Sequence, residues 1–244
     1  MVAREGGLSS EKVKGKGPAS AAGCLQIVGG AVSLVVFVGI LFVVAGDVGW
    51  LRGWAYVGVL TIGHGISAVY AWRKDPELLA RRGKAGEGTK NWDKVVLGVF
   101  AVMYLAEIVV GALDYRWGWS AMSVWFWPVG VVLYAFFLFV VTWAMSVNTH
   151  FEKTVRIQSD RNHRVIDSGP YGIVRHPGYL ATIAGFILGV PLLVGSWWAF
   201  LPAFAAGACL VVRTFLEDRM LRRELTGYEA YAQRVRYRLI RGLW

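Results

Sequence analysis

Six apolar runs, most of them close to the thickness of a bilayer in helical length, govern what this chain can fold into. They are Cys24–Ala45, Trp54–Trp72, Val95–Leu113, Met122–Met145, Tyr179–Val194 and Trp197–Val212. A spanning helix needs roughly 20 mostly apolar residues. The first four runs meet that length. The last two are shorter, meet at Gly195-Ser196, and read as two tilted spans and not as one re-entrant hairpin. In hydrocarbon every backbone N–H and C=O must be bonded within the protein, so such runs become helices. Only 17% of the residues are charged, against about 25% in a soluble domain. The expected fold is an all-α, polytopic membrane helix bundle of five to six spans. An ordinary soluble enzyme, a disordered chain and a disulfide scaffold are excluded. Cys24 and Cys209 both lie in apolar runs and imply no disulfide framework.

The charge pattern gives the topology. The net charge is +10, with 26 Lys and Arg against 16 Asp and Glu. With the N-terminus in the cytoplasm, the inner segments are 1–23, 73–94, 147–177 and 213–244. They hold 24 of the 26 basic residues, and only Arg52 and Arg116 fall outside. That sorting is what the positive-inside rule demands, so no nucleic-acid partner is needed to explain it. Both termini are expected to be cytoplasmic, in the plasma membrane of a bacterium or the endoplasmic reticulum of a eukaryote.

Three regions follow. Residues 1–23, rich in Gly, Ser and Lys, read as a disordered basic cytoplasmic tail. Residues 24–146 form an N-terminal four-span region. Residues 147–244 combine two short spans with most of the polar cytoplasmic material, and an enzymatic site would lie there. Asp75-Pro76-Glu77 to Arg82 has a proline in the first turn, acids early and bases late, which predicts a capped interfacial helix. From Val212 to about Arg236 only Gly227 interrupts a helical pattern, and Arg213, Glu217 and Glu224 share one face.

Several constellations carry little chemistry. His64, His150, His163 and His176 offer no metal-ligand spacing, so no metal is expected. Gly63-His64-Gly65-Ile66-Ser67-Ala68 imitates a dinucleotide motif but lies within a span. It reads as a small-residue packing face between helices. His64 and Glu107 are ionisable groups inside spans, and an interhelical hydrogen bond, such as one to each other, is expected. The strongest local feature is Gly169-Pro170-Tyr171-Gly172-Ile173-Val174-Arg175-His176-Pro177-Gly178-Tyr179-Leu180. Pro177 opens the fifth apolar helix, which would set free N–H groups beside Arg175 and His176 for an anion. Tyr171 and Tyr179 offer rings to a cation.

His163-Arg164-Val165-Ile166-Asp167-Ser168-Gly169-Pro170-Tyr171, followed by Arg175-His176-Pro177-Gly178-Tyr179, resembles the isoprenylcysteine carboxyl methyltransferase family. Arg213, Glu217-Asp218, Leu221, Glu224, Gly227, Tyr228 and Tyr231 extend the likeness. So do Asn148, Phe151 and Val155-Arg156-Ile157-Gln158 upstream. The resemblance covers about residues 148–239 and is shared in part with phospholipid N-methyltransferases and some sterol reductases. It implies a membrane-embedded methyltransferase with S-adenosyl-L-methionine (SAM) in a cytoplasmic cap. The acceptor would be a lipophilic small molecule or prenylated substrate entering from the bilayer. By position, His163, Arg164, Val165 and Ile166 would line the adenosine, with Gln158 a further contact for which Arg156 competes. Tyr171, His176, Pro177, Gly178 and Tyr179 would close around the cofactor. Glu217 would hold its amino group, Arg213 would face the substrate, and Arg213 and His176 are the expected catalytic residues. Gly178 stands where eukaryotic members have Ser, and Asp218 where Glu often follows Glu217.

The chemistry of the residues agrees with that expectation. SAM is a sulfonium cation with an amino group, which a carboxylate and aromatic rings suit. Methyl transfer is a direct displacement, so alignment supplies much of the rate. A carboxylate acceptor needs only a positive partner such as Arg213, and is favoured over a phospholipid amine, which needs a base. Three other readings stay open at this point. Arg213 and Glu217, four residues apart, could form a plain helical ion pair. The chain could be an NADPH-dependent reductase of sterol-type lipids, or a non-catalytic module binding anionic lipid.

Overall fold

The computed structural model describes residues 21–74 and 88–244. The expected interfacial helix at 75–82 and nearly all of the expected tail lie outside the described residues. The chain divides into two units, 1–36 and 37–244. In the first, the described residues begin helix α1 (Ala21–Ala45). Its side chains from Val28 to Ala31 are exposed, as a lipid-facing apolar helix requires.

The second unit takes the last turns of α1 and adds α2 (Leu51–Lys74), α3 (Asn91–Trp117), α4 (Phe126–Val147), α5 (Pro177–Val194), α6 (Phe200–Glu224) and α7 (Tyr228–Arg234). No strand occurs among the described residues. Five helices are long and apolar enough to cross a membrane: α1, α3, α4, α5 and α6. Helix α2 has the length, at 24 residues, but Thr61, His64 and Ser67 dilute its apolar character. The two short runs at the end are separate helices, α5 and α6. The protein is an all-α polytopic bundle, an integral membrane protein.

Within this unit α3 packs along α6, and α4 packs along α5. Leu41, Trp50, Tyr56, Ile108, Tyr134, Val190 and Leu193 form the buried core between them. Small residues let the backbones close up, as bundles in lipid require. A Cβ on Gly130 would stand 2.9 Å from the Gly189 carbonyl oxygen, and one on Gly185 would stand 2.4 Å from Phe137 Cβ. In the dinucleotide-like string, a Cβ on Gly63 would meet Leu138 at 2.3 Å, so the string packs against α4.

Helix α5 is not uniform. Pro177–Thr182 is α-helical, Ile183–Gly189 is a π-helical turn, and Val190–Val194 resumes the α-helix. Pro191 explains the widening: it has no N–H and its ring crowds the preceding turn. The Val190 N–H accordingly reaches back to the Gly185 carbonyl. Gly195, at φ 79°, ends the helix in a left-handed cap.

The pairing of His64 with Glu107 does not occur. His64 Nδ1 lies 2.9 Å from the Leu60 carbonyl oxygen. Glu107 is fully buried on α3, and neither carboxyl oxygen has a hydrogen-bond partner among the described residues. The interhelical contact of His64 is with α4, where the Tyr134 hydroxyl lies 3.4 Å from Nδ1.

Candidate functional site

One cavity of about 530 Å³ opens at the polar end of the bundle. It is floored by apolar side chains of α3 to α6, among them Phe100, Phe137, Val141, Phe186 and Leu210. Its polar walls come from the 148–176 segment and the cytoplasm-directed end of α6 expected above. Every site residue anticipated from the sequence lines it: Gln158, His163, Arg164, Val165, Ile166, Tyr171, His176, Pro177, Gly178, Tyr179, Arg213 and Glu217. These residues come from segments up to 59 positions apart, and the helix packing brings them to one space.

The wall is held by a few bonds that fix its shape. Asn148 Nδ2 donates to Tyr171 Oη at 3.0 Å, and Tyr231 Oη donates to the Tyr171 carbonyl at 2.8 Å. Gln158 is buried and its amide is already engaged. Nε2 donates to the His150 carbonyl at 2.7 Å, and Oε1 accepts from Arg161 Nη1 at 3.2 Å. Arg156, the competitor for its role, is clamped between Glu152 at 2.8 Å and Asp160 at 2.7 Å. Those two carboxylates push its pKa further up.

His163 takes the Gln158 N–H on Nδ1 at 3.3 Å, which leaves Nε2 as the donor of the neutral ring. Burial pushes its pKa down to about 4, assisted by His150, whose ring centroid is 4.7 Å away. Burial lowers the His150 pKa as well. Both rings are therefore neutral near pH 7.

At the other wall, Tyr179 Oη donates a short hydrogen bond to Glu217 Oε2. The Tyr179 ring stacks on His176, 5.7 Å between centroids and 13° between planes. Its opposite partner is the Arg213 guanidinium, 5.1 Å from the ring centroid. Gly178 packs closely under Phe151: a Cβ there would stand 3.3 Å from the ring, which would have to shift by a few tenths of an ångström.

Two acids organise the site: Asp93, which the sequence reading did not single out, and Asp218, which it named in the resemblance without a role. Asp93, in the first turn of α3 and fully buried, accepts from Arg213 Nε at 2.7 Å and Nη2 at 3.3 Å. The plain ion pair of Arg213 with Glu217 does not form. Asp218, also fully buried, accepts from Arg175 Nε at 2.7 Å, Tyr228 Oη at 3.0 Å and Arg238 Nε at 3.0 Å. His176 Nε2 lies 3.5 Å from the same carboxylate. The N–H groups of Arg175 and His176 are not open to an anion. They donate to the carbonyls of Tyr237 and Arg238 at 3.0 and 2.9 Å, so the N–H groups expected to take an anion are occupied by the C-terminal segment.

The balance of charge shows what the cavity can hold. Each buried arginine at its wall has an acid: Arg156 has Glu152, Arg175 has Asp218, and Arg213 has Asp93. Glu217 has only the neutral Tyr179 hydroxyl among the described residues. Glu217 thus makes no ion pair among the described residues, although it feels the charge of Arg213 one turn away. A carboxylate beside aromatic rings suits an ammonium or sulfonium group.

The fold defines a polytopic membrane protein with one lined cavity at its polar end, and Glu217 stands at the wall of that cavity. Residues 125–226 match the family model of the phospholipid methyltransferases, a stretch from the start of α4 past the end of α6 that contains Glu217. The match supports a membrane methyltransferase acting on a lipid-related substrate. No curated protein matches the chain significantly.

Proposed function

We propose that this chain is an integral membrane, SAM-dependent methyltransferase whose cofactor occupies the polar-end cavity and whose acceptor is lipophilic. The observation that carries the reading is Glu217, a carboxylate at the cavity wall that makes no ion pair among the described residues and is hydrogen-bonded by the neutral Tyr179 hydroxyl. Bound SAM supplies an electrophilic methyl group. Glu217, oriented by Tyr179, holds the cofactor's ammonium group, and the rings of Tyr171, His176 and Tyr179 suit its sulfonium. His163 and the 164–166 segment line the adenosine, with the neutral His163 presenting Nε2–H.

Arg213 faces the acceptor. Asp93 and the Lys153 carbonyl take up Nε and Nη2. Nη1 finds no partner among the described residues and remains as a donor. That geometry favours an anionic acceptor, with a carboxylate as the methylated group, since a carboxylate needs no base. The apolar floor of Phe100, Phe137, Phe186 and Leu210 receives the acceptor's chain. A fixed donor and acceptor in a dry site supply most of what a direct displacement needs.

A second reading, methylation of a phospholipid amine, is favoured by the match of residues 125–226. There Arg213 would meet the headgroup phosphate and His176 would stand nearest as a base. The two are separated by incubating the purified protein and tritiated methyl-SAM with N-acetyl-S-farnesylcysteine, then with phosphatidylethanolamine vesicles. Base-labile label on the first supports the carboxylate reading. Base-stable label on the second replaces it. No transfer to either, nor to total membrane lipid, contradicts both.

A further inference from the structure

Asp93 stands apart from the other acids of the site. It comes from α3, outside the segment that matches the phospholipid methyltransferases. Its two oxygens receive three donors: Arg213 Nε, Arg213 Nη2 and the Val155 N–H, the last at 2.7 Å. The Arg213 guanidinium is held on its other sides by the Lys153 carbonyl at 2.7 Å and by the face of Tyr179. It is therefore fixed, one helical turn from Glu217 on α6, at the wall of the same cavity. An uncompensated guanidinium there, 5.1 Å from the Tyr179 ring centroid, would oppose the sulfonium of a methyl donor held against that ring. In a site shielded from water such repulsion is several-fold stronger than in bulk solvent.

We infer that Asp93 is the residue that allows a cationic cofactor to share this cavity with Arg213. It cancels the charge of the arginine while leaving the Nη1 edge open as a hydrogen-bond donor. Asp93 is a positioning and charge-compensating residue and touches neither reactant. The inference rests on the SAM reading above. SAM and its demethylated product, S-adenosylhomocysteine, differ by one methyl group and by the sulfonium charge. The ratio of their dissociation constants therefore reads the charge felt at the sulfonium, without any turnover.

The test is a calorimetric titration of each ligand into the detergent-purified full chain, for the wild type, Asp93→Asn, Arg213→Gln and the double variant. Asp93→Asn is expected to raise the ratio of the SAM Kd to the S-adenosylhomocysteine Kd by about tenfold, with the product's own Kd changed by no more than about twofold. Arg213→Gln shifts the ratio the opposite way, and the double variant returns it to near the wild-type value. A purely structural Asp93 weakens both ligands alike. A ratio unmoved in the single variants overturns the inference and leaves the cofactor reading standing. If Asp93→Asn does not fold, the sign in Arg213→Gln and its reversal in the double variant decide the matter. A wild type that binds neither ligand overturns the cofactor reading, and this inference with it.

Discussion

The Tyr179 hydroxyl donates to the Glu217 carboxylate across the gap between α5 and α6. This bond fixes the carboxylate at the wall of the cavity and leaves its charge uncancelled. Tyr179→Phe keeps the ring against His176 and Arg213 but removes the donor. A hydrogen bond to a charged group is worth roughly 1.5–3 kcal/mol, most of which the ligand's own ammonium replaces. The SAM Kd is expected to rise about threefold to tenfold, with the thermal unfolding midpoint little changed. Calorimetry and a melting curve on the same sample check both halves.

Asp218 ties together Arg175, Tyr228 and Arg238, and through Arg175 the carbonyls of Val235 and Arg236. Removing one partner of a buried ion pair leaves the other charge uncompensated, at a cost of about 3–5 kcal/mol. Asp218→Ala is expected to lower stability by that amount. It should also expose the C-terminal segment after Arg234 to protease, since that segment is held by the Arg175 turn. Limited proteolysis of the variant in detergent, read by mass, checks the site of cutting.

His163 supplies a pH dependence whose sign is fixed. Its pKa is lowered to about 4 in the folded protein, against about 6.5 in the unfolded chain. Between those values the unfolded chain binds the proton and the folded protein does not. The contribution of His163 is therefore complete above pH 6.5 and is lost as the pH falls towards 4. His150, shifted in the same direction, steepens the loss. The unfolding midpoint should fall with pH in this window, and His163→Gln should flatten the fall. A variant with the wild-type slope contradicts the placement of His163 in a buried wall.

Glycine contacts predict a contrast between sites. Gly185→Ala would push a methyl group into Phe137 Cβ, and Gly130→Ala into the Gly189 carbonyl. Overpacking of this kind costs about 1–3 kcal/mol. Gly65, in the dinucleotide-like string, has nothing within 4 Å of its Cβ position, and Gly65→Ala should be neutral or slightly stabilising. Thermal unfolding of the three variants in one detergent compares them directly.

The bundle was legible in the sequence because lipid imposes a length and an apolarity on every span, and five of the six runs meet both. The polar wall was legible because a contiguous motif, Gly169 to Leu180, runs into α5 and a second set of residues recurs along α6. Asp93 was not legible. It meets Arg213 across 120 positions and Val155 across 62, and locally it looks like any acid in a first helical turn. The closed helix start at Pro177 was missed for a similar reason, since its N–H groups are taken by carbonyls about 60 residues further on. Glu107 and His64 are both ionisable and both within spans, yet composition could not say which faces of α2 and α3 meet. The π-helical turn follows from Pro191, whose effect depends on the packing of α5 against α4.

In the proposed function Glu217 receives a cationic methyl donor. The most direct measurement is a calorimetric titration of SAM into the detergent-purified wild type and Glu217→Gln. Micromolar binding to the wild type is expected, with a loss of at least about a hundredfold in the variant, the scale of a charge-assisted pair in a desolvated site. Equal binding by both proteins would contradict it. So would a well-folded wild type that gives no heat with SAM.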